Sequence, residues 1–275
     1  MNLDPIVAAI PALNKILGIP ELASEHGEMV DHMLELVHWF MLVLFIGWST
    51  FLVFVFTKFR KDKSAKADYV GVRGHASTHI EIGVVIVEAI LLLGFAFPLW
   101  AQQSVGYPTG KEVVKVRAMG EKFKWNFQYA GQDGTLGGYA LANIGNPATN
   151  EMGLDAKDPN GKDDFVKGAT LTLPVGRPVI IDVTSKDVIH NLALVPMRAA
   201  QDATPGVNGH LWFTPTKTGS WDIICGQLCG AGHSGMRGTL EVIPQKDFDE
   251  FMKEGSEGAL KNAAAAPAAA PAAAH

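Results

Sequence analysis

The chain has 275 residues, 48% of them hydrophobic, a formal net charge of −5 and two cysteines. That charge excludes a broadly basic nucleic-acid binder, and no Lys/Arg-rich patch with interleaved aromatics occurs. Two cysteines build no disulfide framework, and without a CxxCH motif no c-type haem is attached to this chain.

Apolar residues crowd into two stretches. Leu34–Thr57 (LELVHWFMLVLFIGWSTFLVFVFT) has no charge after Glu35, and Ile80–Ala101 (IEIGVVIVEAILLLGFAFPLWA) ends in Pro98 and Trp100. Each exceeds the roughly 20 residues a helix needs to cross a bilayer core, and Trp100 suits an interfacial anchor. The linking loop, 58–79, holds Lys58, Arg60, Lys61, Lys63, Lys66 and Arg73, whereas residues 1–33 hold only Lys15. The positive-inside bias makes that loop cytoplasmic and both ends outward. The expected organisation is an outer N-terminal segment (1–33), a transmembrane hairpin (34–101), an outer domain (102–250) and a C-terminal segment (251–275). The Ala/Pro repeats at 263–274 are low-complexity and read as disordered.

Within the second span, Glu81 and Glu88 lie seven residues apart, about 10 Å along a helix and on one face. A carboxylate in lipid is costly unless it faces protein or water. The pair reads either as a proton-uptake route along a partner or as hydrogen-bonded carboxyls joining helices.

From Glu112 the pattern becomes alternating (VVKVRAM, then KFKWNFQY, broken at Gly120). Short runs recur at Thr170–Leu173, Pro178–Thr184, Asn191–Val195, His210–Thr214, Ser220–Ile224 and Gly238–Ile243. Gly, Pro and Asp punctuate them, which predicts an all-β sandwich or partly closed barrel. Residues 131–168 (GQDGTLGG, DPNGKDD) read as a long, solvated surface loop.

The chemistry concentrates in Cys225-Gly-Gln227-Leu-Cys229-Gly-Ala-Gly-His233-Ser-Gly-Met236, with His190 after an alternating strand 35 residues upstream of Cys225. A disulfide between Cys225 and Cys229 would close too small a loop to stabilise much. Soft sulfur with imidazole selects copper. A mononuclear blue-copper site needs one Cys, and the second allows two thiolates to bridge two ions. Zinc on Cys2His2 is the rival, although zinc has no need of Met236 and the spacing is not finger-like.

The order Ser185-Lys-Asp187-Val188-Ile-His190, Asp202-Ala203-Thr-Pro205-Gly206, then the Cys/His/Met loop resembles cytochrome c oxidase subunit II over most of residues 30–250. The resemblance implies a cupredoxin-like domain behind a two-helix hairpin in a bacterial inner membrane, with that domain and both termini periplasmic. It implies an electron-entry subunit in which two copper ions accept electrons from cytochrome c or an equivalent donor. Electrons would pass to haem in subunit I, where oxygen is reduced and protons are pumped; other oxidase subunits and membrane lipid complete the partners. Carried over, Cys225 and Cys229 bridge the coppers, His190 and Met236 complete one, and His233 and the Gln227 carbonyl complete the other. Glu81 matches the carboxylate at the mouth of a proton channel. Three departures stand out. Gln227 replaces a Glu that helps hold magnesium, which puts that ion in question, since an amide is a poor Mg2+ ligand. Phe123, just before Trp125 in Glu121-Lys-Phe-Lys-Trp, stands where the family places the Trp that receives electrons, which puts the usual docking mode in question. Glu88 replaces a proline after Glu81, which indicates a divergent bacterial branch.

Overall fold

The computed structural model describes residues 17–63, 66, 69–71, 74–144, 150–155 and 157–265. Arg73, most of the Ala/Pro tail and the first 16 residues lie outside these. Two units result: a helical one containing Glu28–Val105, and a β unit of Pro20–Gly27 together with the chain from Gly106.

In the helical unit, α1 (Gly27–Lys58) starts seven residues before the apolar run, because Glu28 and the residues after it favour a helical first turn. At 32 residues it is about 48 Å long, more than a bilayer core requires. Its polar side chains return to its own backbone: His38 Nδ1 lies 2.7 Å from Leu34 O, and Thr57 Oγ1 donates to Phe54 O. The second apolar helix runs as α2 (Ala76–Leu91), a π turn (Leu92–Ala96) and α3 (Phe97–Val105). Pro98 explains the π turn, since it has no N–H to donate and its ring crowds the carbonyl one turn back. Both helices are long and apolar enough to span a membrane, with mean hydropathies of 2.3 and 2.5.

The β unit is the expected two-sheet, cupredoxin-like sandwich. Its strands are β1 (Val114–Glu121), β2 (Lys124–Tyr129), β3 (Phe165–Gly168), β4 (Thr170–Pro174), β5 (Val179–Ser185), β6 (His190–Leu194), β7 (Ala199–Ala203), β8 (Gly209–Phe213), β9 (Gly219–Cys225) and β10 (Arg237–Ile243). One sheet has the order β3-β2-β1-β5-β8 and the other β4-β10-β9-β6-β7. Only β1 with β5 and β10 with β4 run parallel; the other neighbours are antiparallel. Alternation aims Val116, Ala118, Trp125, Phe127, Tyr129, Ile181, Val183, Leu192, Phe213 and Leu240 between the sheets, all fully buried.

The structure departs from the sequence reading in five places. Gly120 does not break the first strand; it lies inside β1, and the reversal falls at Lys122–Phe123. Strand β7 (AAQDA) has no large apolar residue to announce it, yet pairs along its whole length with β6. Residues 20–27 dock on the sandwich: Ala23 N–H donates to Pro196 O and Thr216 N–H to Ala23 O, each at 2.8 Å. After residue 244 the chain forms α4 (Gln245–Ala265), whose Phe248, Phe251 and Met252 follow helical spacing. Phe251 meets Tyr129 and Phe165 edge-on at 5.2 and 5.4 Å.

The fifth departure concerns the 131–168 loop, whose described residues are largely exposed, as expected of a surface loop, but which also covers part of one sheet. Its end forms edge strand β3. Register places Gln128, Arg117, Asp182 and His210 side by side across β2, β1, β5 and β8. Arg117 donates to Gln128 Oε1 at 2.7 Å and to Gly137 O at 2.9 Å, and lies 3.8 Å from Asp182. Tyr139 covers the guanidinium at 4.6 Å, and Asp164 accepts from Gly137 N–H and Gln128 Nε2. The loop therefore buries Gln128 on the outward face of β2, where Asn126 is also buried, while Lys124 on that face stays exposed.

Candidate metal centre

The site is made at one end of the sandwich by two connections. Strand β5 ends at Ser185, whose hydroxyl donates to Val188 O and closes a tight turn. That turn delivers His190 as the first residue of β6, fully buried. Strand β9 ends at Cys225, and its pairing with β6 (Leu192 opposite Cys225) sets Cys225 beside the start of β6. The loop from Gly226 to Gly235 then turns back through a 3-10 turn at His233–Gly235. Met236 O accepts the Cys225 N–H at 3.4 Å, so both ends of the loop are held together.

The cysteines are unbridged, their sulfurs 3.9 Å apart. His190 Nδ1 lies 3.9 Å from Cys225 Sγ and His233 Nδ1 lies 3.6 Å from Cys229 Sγ. Met236 Sδ is 3.8 Å from Cys229 Sγ, and the Gln227 carbonyl is 3.2 Å from Cys225 Sγ. The structure thus brings together all six residues singled out in the ligand motif. His190, Cys225 and Cys229 form the one metal-competent cluster among the described residues. Burial, and then the adjoining Cys225 thiol, push the Cys229 thiol above its usual range. The chain alone thus favours the neutral thiol, and two thiolates this close would need a cation beside them.

Asp187 supplies what the sequence reading did not assign. Its Oδ1 lies 2.9 Å from His190 Nε2, and its other oxygen accepts Lys122 N–H at 2.9 Å. A carboxylate only accepts, so Nε2 carries the proton and the Nδ1 lone pair faces the sulfurs. Burial raises the Asp187 carboxyl, but bonds from His190, Lys122 N–H and Val188 N–H outweigh it and hold the group below its usual range. The signal lay in the sequence as an Asp three residues before the histidine in a tight turn.

Close packing fixes the rest. A Cβ on Gly120 would come within 2.9 Å of the His190 ring and 3.1 Å of Trp125. Only glycine leaves room there, which is why β1 carries one mid-strand. Trp125 is fully buried, 6.0 Å from the His190 ring and tilted edge-on to it. Phe123 is partly exposed and lies over the ligand loop, where a Cβ on Gly232 would overlap its ring at 2.5 Å. Around its turn, Glu121 binds Lys186 at 2.6 Å and Lys124 at 3.1 Å. Glu81 is not part of this cluster; it belongs to α2 in the helical unit.

Residues 114–243 match the family model for the cytochrome c oxidase subunit II periplasmic domain. The chain is 30% identical over 227 residues to the alternative cytochrome c oxidase subunit 2 of Bradyrhizobium diazoefficiens, covering 82% of this chain and 79% of that one. It is 27% identical over 251 residues to cytochrome c oxidase subunit 2 of Cereibacter sphaeroides, covering 84% and 80%. The solved periplasmic domain of cytochrome oxidase subunit II from Bradyrhizobium japonicum is similar at 24% identity and a TM-score of 0.40, over 55% of this chain and 97% of that one. The fold and site define a membrane-anchored β-sandwich with a sulfur- and imidazole-lined centre. The chain belongs to the cytochrome c oxidase subunit II family.

Proposed function

We propose that this chain is the electron-entry subunit of a respiratory haem–copper oxidase, with a pair of copper ions at the Cys225/Cys229 cluster. One observation carries the reading: two unbridged thiols 3.9 Å apart, flanked by two imidazole Nδ1 atoms, a thioether and a backbone carbonyl. Soft sulfur and imidazole donors suit copper, and a second thiolate with a thioether exceeds what tetrahedral zinc takes. Cys225 and Cys229 would bridge the ions; His190 and Met236 would complete one, and His233 with the Gln227 carbonyl the other. Copper so held supplies a one-electron couple between an outer donor, cytochrome c or its equivalent, and haem in subunit I, where oxygen is reduced and protons are pumped.

The remaining work belongs to the chain's own residues. Asp187 orients His190, and Gly120 leaves room for its ring. The Cys225–Met236 backbone bond holds the two ends of the ligand loop together. Phe123 covers the ligand loop at the surface while Trp125 backs His190 from within, and together they form the electron-entry region. Gln227 offers a neutral amide where magnesium would want a carboxylate, so this reading assigns no magnesium to it.

By the positive-inside bias, Lys58, Arg60, Lys61, Lys63 and Lys66 lie in the cytoplasm and the β unit lies in the periplasm. Glu81, near the cytoplasmic end of its helix, then stands where protons enter. Glu81→Gln is expected to slow oxygen turnover while electrons still enter at the wild-type rate in a stopped-flow measurement; equal turnover would remove Glu81 from the route. The test of the whole reading is metal analysis with electron spin resonance on the copper-loaded full chain. Two coppers per chain sharing one unpaired electron support it, whereas one copper with an ordinary blue spectrum, or zinc alone, overturns it.

A further inference from the structure

At the end of the sandwich opposite the ligand cluster, a cleft of about 270 Å3 opens beneath α4. Its walls come from the approach to β1, the start of the loop after β2, the β4–β5 turn and the first turns of α4. Four cations line it: Lys111, Lys115, Arg177 and Lys253. The one carboxylate in the lining is Asp249, whose Oδ1 accepts from Gln245 at 2.6 Å and lies 4.0 Å from Arg177. Nearby Asp163 is held by the Gln132 and Asp133 N–H groups, and Glu257 lies 4.0 Å from Lys253. The lining thus carries four positive charges against one negative, in a chain whose net charge is −5. Such a concentration needs an explanation, because like charges gathered around one cleft repel and destabilise the fold unless an anion joins them.

Arg177 is the built element. Its Nε donates to Glu112 O at 2.9 Å and the side chain is about a quarter exposed, which fixes the guanidinium plane at the cleft wall with Nη1 4.0 Å from Asp249. The floor is apolar, formed by buried Val113, Val114 and Phe248 with Met252 beside them. A fixed guanidinium with exposed lysines beside it suits a phosphate or carboxylate group, and the floor adds preference for an attached hydrocarbon. The geometry points to a binding site for a small amphiphilic oxyanion, an organic phosphate with a short apolar portion. A soluble phosphate ester and the head of an anionic phospholipid share that chemistry.

The experiment titrates n-butyl phosphate and inorganic phosphate calorimetrically into the assembled, detergent-purified oxidase at low salt. Bound phosphatidylglycerol is measured by mass spectrometry after reconstitution into vesicles containing that lipid. Butyl phosphate is expected to bind more tightly than inorganic phosphate. It should weaken at least about tenfold in Arg177→Gln/Lys253→Gln, the loss of charge-assisted bonds. Lys111→Gln/Lys115→Gln, which changes only exposed side chains, should weaken it as well and guards against misfolding of the first variant. Reduced phosphatidylglycerol in both variants assigns the site to a lipid head, and unchanged lipid with weakened butyl phosphate assigns it to a soluble ester. Unchanged butyl phosphate affinity in both variants, or equal affinity for inorganic phosphate and butyl phosphate, overturns the proposal.

Discussion

The ligand end of the sandwich and the loop-covered face of the β3-β2-β1-β5-β8 sheet solve opposite problems with polar groups. At the ligand end, soft donors gather within a few ångströms of one another, and the two thiols have no oppositely charged partner among the described residues. On the covered face, the chain supplies most of the partners: Arg117 meets Gln128, Gly137 O and Asp182, Asp182 meets His210 at 2.8 Å, and Asp164 accepts from Gly137 N–H, which leaves Arg117 Nε and Asp164 Oδ1 as the unpartnered atoms of this row. Under the proposed function the first region is completed from outside, whereas the second largely completes itself. A buried polar cluster is thus a sign of binding chiefly when its charges do not balance internally.

The sharpest way to break the comparison is at the sulfurs. Cys229→Ser should abolish the shared-electron spin resonance signal while leaving denaturant stability of the metal-free chain within about 1 kcal/mol. An unchanged spectrum would refute a dinuclear centre. A smaller effect is expected at Asp187, which orients a ligand without being one. Asp187→Ala should lower copper affinity by roughly 10- to 100-fold in competition with a chelator, and Asp187→Asn should restore part of it by still accepting Lys122 N–H.

Arg117 probes the self-completed face. Arg117→Leu leaves Asp182 and Gln128 without their buried partner and should cost about 2–3 kcal/mol in chemical denaturation. The copper spectrum should not change, because the row lies on the outward face of the sheet. The smallest effect belongs to Asp164. Burial lifts its carboxyl to about 6, against the Gly137 and Gln128 bonds that lower it, and its Oδ1 has no protein partner. The folded state therefore holds this proton more tightly than the unfolded chain, and ionisation costs stability as pH rises from about 4 to 6. Asp164→Asn should be more stable than wild type above pH 6 by up to about 2 kcal/mol. That is less than the roughly 3 kcal/mol that so large a rise implies, because a neutral amide accepts the Gly137 and Gln128 bonds less strongly than a carboxylate. That advantage should vanish below pH 4. A constant difference across that range would show that the carboxyl does not titrate there.

Sequence alone determined the features that repeat or that follow from residue chemistry. Two apolar runs fix two helices, because a bilayer-length apolar stretch with so few charges admits little else. Alternation fixes most of the strands, because a half-buried sheet demands period two. The Cys225–Met236 spacing, with His190 upstream, marks the soft-metal motif, because donor type is a property of the side chain itself. Tertiary structure decided what depends on distant parts of the chain meeting. Strand β7 has no large apolar residue to betray it and exists because β6 offers it an edge. Gly120 looks like a strand breaker until the His190 ring is set against it. Part of the 131–168 loop proves to be a cover only when register lines up Gln128, Arg117 and Asp182 beneath it. Asp187 becomes an orienting carboxylate only when the turn folds it onto His190. Each of these is a contact between residues far apart in sequence or turned by a local bend, and such pairings leave no period in the chain by which to read them.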